Sequence, residues 1–141
     1  MAEDVIKKLI GVWDLADWRC VKDDQYYSHP MGEDAKGRLT YTREGLMSGF
    51  LMRQDFENEA PRNPAEASKS LAYSGRYTVK GNEVYHTVDI ATIPEWMGTD
   101  LIRTMIWKDD KLLLKTTAEQ GRDGGWYSNE LLWARQKPIY P

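Results

Sequence analysis

His86 is the one histidine of this chain that falls in a strand-like run, EVYHTVDI, where period-2 alternation puts it on a face with Val84, Val88 and Ile90. If that face turns inward, the imidazole sits where it can act as general acid or base near neutral pH. The competing role is a buried histidine satisfied by a single neighbour such as a tyrosine. Arg103 shares its strand face with Leu101, Met105 and Trp107. A guanidinium on an apolar face needs a partner. An internal carboxylate such as Glu130 or Asp17 would serve, as would the carboxylate or enolate of a bound molecule. Three phenols, Tyr41, Tyr73 and Tyr77, can hydrogen-bond a carbonyl, stabilise a developing enolate, or simply stack as core residues. His86, Tyr73 and Arg103 form the set that could transfer protons and stabilise an oxyanion. Tyr41, Phe50, Tyr77, Val88, Trp96, Met105, Trp107 and Glu130 complete an expected ligand wall, with Trp96, on a loop behind Pro94, suited to a lid. Asp17 and Arg19 alternate with Trp13 and Leu15, so all four share a face unless a bulge turns the later pair to solvent.

Other chemistries lack their residues. No glycine pattern cradles a phosphate, and no Cys/His spacing suits zinc. Two histidines far apart in sequence argue against a metal site, and nothing calls for a cofactor. Cys20, the single cysteine, has no activating neighbour in sequence and reads as a packing residue. The serines lack a nucleophile-elbow context.

The elements that would position these side chains are mostly strands. Residues 3–10 form a short amphipathic helix with Val5, Ile6, Leu9 and Ile10 on one side. Eight strands follow, at 12–21, 37–42, 46–53, 71–79, 83–91, 101–107, 111–117 and 126–135. Arg43-Glu44-Gly45, Lys80-Gly81-Asn82 and Lys108-Asp109-Asp110 make tight hairpin turns. The remaining connections are long, and short alternates strictly with long. In an up-and-down meander this sends every tight turn to one end and every long loop to the other. The expected fold is therefore all-β, an eight-stranded antiparallel barrel with a short N-terminal helix, shaped as a cup. The alternative arrangement is a two-sheet sandwich. The mouth is expected at loops 26–34, 55–70, 94–100 and 120–125.

Gly11-Val12-Trp13 opens the first strand and Leu132-Trp133-Ala134-Arg135 closes the last. This pairing resembles the signature of lipocalins and the wider calycins, whose first-strand Trp plugs the barrel base beneath a basic residue of the last strand. The resemblance implies those roles for Trp13 and Arg135, joined by a cation–π contact. The strings HPMGEDAKGRLTYTREGLMSGFL, LAYSGRYTVKGNEVYHTVDI and IPEWMGTDLIR are similar to the bacterial and fungal lipocalin-like domain family, from Leu9 to Arg135. That resemblance implies a calycin-type barrel with a small-molecule cavity, in proteins some of which belong to biosynthetic or catabolic gene clusters. It supplies no reaction.

The totals bound the rest. The 141 residues suit one domain, 1–141. Six Trp and eight Tyr against two Phe load the chain with aromatics that carry a polar handle, as a β-rich core or an amphipathic pocket requires. A net charge of −3 without a basic run argues against nucleic acid. The N-terminus is too short and charged for a signal peptide and no stretch is apolar enough to span a membrane, which points to a soluble cytoplasmic protein. Three function classes stay open: a carrier of a small hydrophobic or aromatic molecule, a cofactor-free cyclase or isomerase using the same cavity in natural-product or small-molecule metabolism, and a structural or partner-binding domain. A homodimer is also left open.

Overall fold

A computed structural model describes residues 2–56 and 70–140. Helix α1 (Ala2–Leu9) places Glu3 and Asp4 in its first turn and Lys7 and Lys8 in its last, each complementing the helix dipole. The strands are β1 (Gly11–Lys22), β2 (Gln25–Ser28), β3 (Lys36–Tyr41), β4 (Leu46–Met52), β5 (Ser70–Lys80), β6 (Glu83–Ala91), β7 (Asp100–Lys108), β8 (Lys111–Thr116), β9 (Glu119–Gln120) and β10 (Trp126–Arg135). All pair antiparallel. Strands β1, β3–β8 and β10 run in sequence order and close on themselves through β1–β10, giving the eight-stranded barrel. Strands β2 and β9 are short additions, to β1 and β10 respectively, within two of the long connections between the expected strands.

Alternation sets the inner face. In β4, Met47 and Leu51 are buried while Leu46, Ser48 and Phe50 are exposed. The core gathers Leu9, Trp13, Leu39, Tyr41, Met47, Tyr77, Val84, Met105, Leu112 and Trp133. At one end, Trp13 is fully buried and its indole N–H donates to the Leu9 carbonyl at 2.9 Å. The Arg135 guanidinium stacks 4.2 Å from the Trp13 ring centroid and donates to the carbonyls of Ile10, at 2.9 Å, and Lys8. Gly11 makes room for it: its φ is +135°, and a Cβ there would meet Arg135 Nη1 at 2.7 Å.

Two bulges break the alternation. In β1, Leu15 pairs with Trp133 and Asp17 with Leu132, so Ala16 is the extra residue. The inward phase therefore passes from Trp13 and Leu15 to Trp18, and Asp17 and Arg19 turn to the outer face. There Arg19 meets Asp17 at 3.5 Å and Glu130 at 3.3 Å, and Lys115 approaches Glu130 at 3.8 Å. Of the two arrangements that the sequence left open for Asp17 and Arg19, the bulged one is therefore the one adopted. In β6, Ser74 pairs with Ile90 and Gly75 with Val88, which leaves Asp89 unpaired. Val84, His86 and Val88 point inward, but Ile90, past the bulge, is 64% exposed.

Candidate functional site

The inner wall encloses a cavity of about 620 Å³, within the range of small-molecule sites. Leu39, Leu51, Leu71, Leu101, Leu114 and Leu131 supply most of its apolar lining, and Trp18, Trp96 and Trp133 its indoles. Trp18 donates from Nε1 to Asn129 Oδ1 at 2.9 Å. Trp133 Nε1 is buried without an acceptor among the described residues. The charged side chains on the lining are Arg103, Asp100 and Glu119.

Four polar residues converge on one side. His86, 1% exposed, is held between two phenols: Tyr41 Oη lies 2.7 Å from Nε2 and Tyr73 Oη 2.8 Å from Nδ1. Neutral imidazole offers one donor and one acceptor. Tyr41 is sealed in the core, and His86 is its hydroxyl's single partner among the described residues. Its O–H must donate to Nε2 or remain an unsatisfied buried donor. Nδ1 then carries the ring proton and donates to Tyr73. The Tyr73 O–H is left free, and Tyr73 lines the cavity.

Burial holds the His86 imidazolium down to about 3, with the Arg103 charge adding to the effect. His86 is therefore neutral across physiological pH. Burial also pushes the phenols up, Tyr41 well above the ordinary tyrosine value. For Tyr73 the Arg103 charge and its hydrogen bond pull back against that rise. The group best able to bear negative charge is thus Tyr73, which accepts from His86 and faces Arg103. The arrangement can donate a hydrogen bond or a proton into the cavity. Among the described residues the lining holds no buried carboxylate to serve as a base, since Asp100 and Glu119 are exposed.

The β6 bulge helps to assemble this cluster. Val88 donates from its N–H to the Thr99 carbonyl and accepts from the Gly98 N–H, both at 2.9 Å. This ties the loop carrying the 3-10 turn Pro94–Trp96 to the bulged strand and sets the Trp96 ring edge-on to Tyr73, 5.5 Å between centroids.

Of the residues singled out from sequence, Tyr73, His86, Trp96 and Arg103 line the cavity. Tyr41 backs His86, and Tyr77, Met105 and Trp107 belong to the packed core or lie against it, Tyr77 donating from its hydroxyl to the Thr42 carbonyl at 2.7 Å. Val88 is buried and absent from the cavity lining. Of the eight residues expected to complete the ligand wall, only Trp96 is on the cavity lining, and two of the other seven face outward. Phe50 falls on the outward phase of β4 and is 47% exposed. Glu130 sits opposite Arg19 on the outer face. Neither Glu130 nor Asp17 can therefore neutralise Arg103, whose hydrogen bond to protein backbone is to the Ile102 carbonyl at 3.2 Å. His29 bridges Asp17 Oδ1 at 3.1 Å and the Tyr26 hydroxyl at 3.0 Å. The mouth loop expected at 55–70 falls largely on residues 57–69, outside the described residues. Sequence reasoning missed Trp18, Asn129, Leu131 and Trp133 as lining. The β1 bulge hid Trp18, while WYSNELLWAR carries Asn129, Leu131 and Trp133 on the alternation opposite to Glu130.

The model of the family described as lipocalin-like domain matches residues 10–136, and the chain belongs to that family. Its barrel is of the kind consistent with binding a small molecule. No curated protein matches the chain. No helix among the described residues is long and apolar enough to cross a membrane.

Proposed function

We propose that the barrel binds a small, largely apolar or aromatic molecule and acts on it without a cofactor, as a cyclase or isomerase that polarises the bound molecule through Tyr73. The observation that carries this reading is the Tyr41–His86–Tyr73 hydrogen-bond chain, which ends at the Tyr73 hydroxyl on a cavity lined largely by leucine and tryptophan. A hydrogen bond aimed from a fixed, dry wall at developing negative charge lowers a barrier more than one from water does, and a shaped apolar cavity holds a flexible substrate in a reactive conformer. His86 and Tyr41 act through Tyr73, as a neutral relay that orients and polarises it. The leucine lining equally favours a carrier that leaves its ligand unchanged.

Native mass spectrometry of the protein after incubation with a metabolite extract of its source tests both. The wild type retains a small organic molecule. Gly49→Leu, which adds bulk beside Leu39 and Tyr73 on the wall, loses it. A molecule released chemically altered by the wild type, and unaltered by Tyr73→Phe, establishes catalysis. Release unaltered from both leaves the carrier. No retained molecule from any extract would overturn ligand binding itself.

A further inference from the structure

Arg103 is the one cationic side chain on the cavity lining among the described residues, and no ion pair found there includes it. The carboxylates that the sequence suggested as its partners, Asp17 on β1 and Glu130 on β10, are turned outward and paired with Arg19. A guanidinium offers five N–H donors in a planar fork. Here one goes to the Ile102 carbonyl and the side chain also reaches Tyr73, so most of the fork is uncommitted. The Tyr73 O–H, freed by the His86 tautomer, opens on the same cavity wall. A partly buried, unpaired cation is costly to keep. Beside a free phenolic donor, it is matched by a ligand oxyanion.

Resting on the ligand-binding reading above, we propose that the cavity selects molecules with an apolar body and one planar oxyanion, a carboxylate or an enolate, seated on the Arg103 fork and the Tyr73 hydroxyl. The neutral imidazole leaves Arg103 as the only positive charge in the seat among the described residues, and the leucine and indole lining takes the rest of the molecule. A carboxylate, like the sulfonate of the probe below, offers the fork two oxygens, and an enolate offers one oxygen that accepts from both N–H groups.

Two fluorescent probes with one ring scaffold test this: anilinonaphthalene sulfonate, an anion, and the neutral N-phenylnaphthylamine. The wild type should bind the anion at least about tenfold more tightly, the order expected for a charge-assisted hydrogen bond. Arg103→Met should erase that ratio while holding the neutral probe within about threefold of wild type, which also shows that the variant is folded. Arg103→Lys should restore part of the ratio, because the charge returns without the fork. Tyr73→Phe should lower the ratio with Arg103 in place. Competition by naphthoate and by phenylindanedione, an enolate at neutral pH, then separates the two oxyanions by which displaces the probe at lower concentration. Equal affinity for both probes in the wild type, or a ratio that survives Arg103→Met, overturns the oxyanion seat and leaves ligand binding standing. Failure to bind either probe overturns both.

Discussion

At the scale of single residues, the fate of one proton separates His86 from an ordinary histidine. Its value of about 3 lies below the unperturbed 6.5. The unfolded chain therefore takes up a proton as pH falls through 6.5, whereas the folded protein resists until near 3. The folded value is depressed, so this contribution to stability is fully present above 6.5 and is lost as pH falls toward 3. Its limiting slope is about 1.4 kcal/mol per pH unit. Denaturant unfolding of the wild type and His86→Gln, followed from pH 7 to pH 4, should show the wild type losing stability more steeply by up to one proton's worth. Parallel curves would place His86 in a polar, hydrated environment at odds with its burial. The sequence showed that His86, Tyr73 and Arg103 lie on strand faces able to converge. It could not show that Tyr41 and Tyr73 take both ring nitrogens, because the meeting of β3, β5 and β6 around one imidazole depends on barrel curvature.

At the scale of elements, the two bulges explain one part of what sequence reading missed. The strands, the tight turns and the alternation within each unbroken stretch were legible, since hydrophobic period and turn residues are local signals. A bulge is one inserted residue with no strong signature of its own, and it inverts the phase of everything beyond it. Ala16 thereby hid Trp18 and turned Asp17 and Arg19 outward, while Asp89 exposed Ile90. Glu130 and Phe50 were misplaced for a simpler reason: a strand offers two faces, and residue type alone does not choose between them. The β6 bulge also creates a site where only glycine fits. A Cβ on Gly75 would lie 1.9 Å from the Thr87 carbonyl oxygen and 3.1 Å from the Asp89 nitrogen. Backbone cannot swing away as a side-chain tip can, so Gly75→Ala should cost at least about 1–3 kcal/mol in denaturant unfolding. Because Val88 anchors the Trp96 loop from the same bulge, the variant should also bind N-phenylnaphthylamine more weakly. Wild-type stability in Gly75→Ala would show that β5 and β6 can separate there at little cost.

At the scale of the whole molecule, the barrel keeps its closure and its cavity at different levels along its axis. The G-x-W motif and the last-strand arginine, both legible in the sequence, meet where β1 and β10 join the helix end. Arg135 there holds the Trp13 face and two carbonyls of the α1–β1 junction, so it fastens α1 against the strand seam. Trp18, Trp96, Tyr73 and Arg103 line the cavity, away from that junction. Arg135→Ala removes a cation–π contact and leaves the Ile10 and Lys8 carbonyls to water. The guanidinium is exposed, which discounts the loss to about 1–2 kcal/mol. The expected result is a lower melting temperature with probe affinity and the anion-to-neutral ratio unchanged. Arg103→Met should do the reverse, losing the ratio while keeping or raising the melting temperature, because an unpaired cation has been replaced by an apolar side chain. Both measurements on both variants, with Arg135→Ala/Arg103→Met as the combined form, decide whether the two levels are independent. Additive effects on stability and an unchanged loss of the ratio support separation. Coupling beyond about 0.5 kcal/mol would mean that the junction at the base controls the geometry of the oxyanion seat.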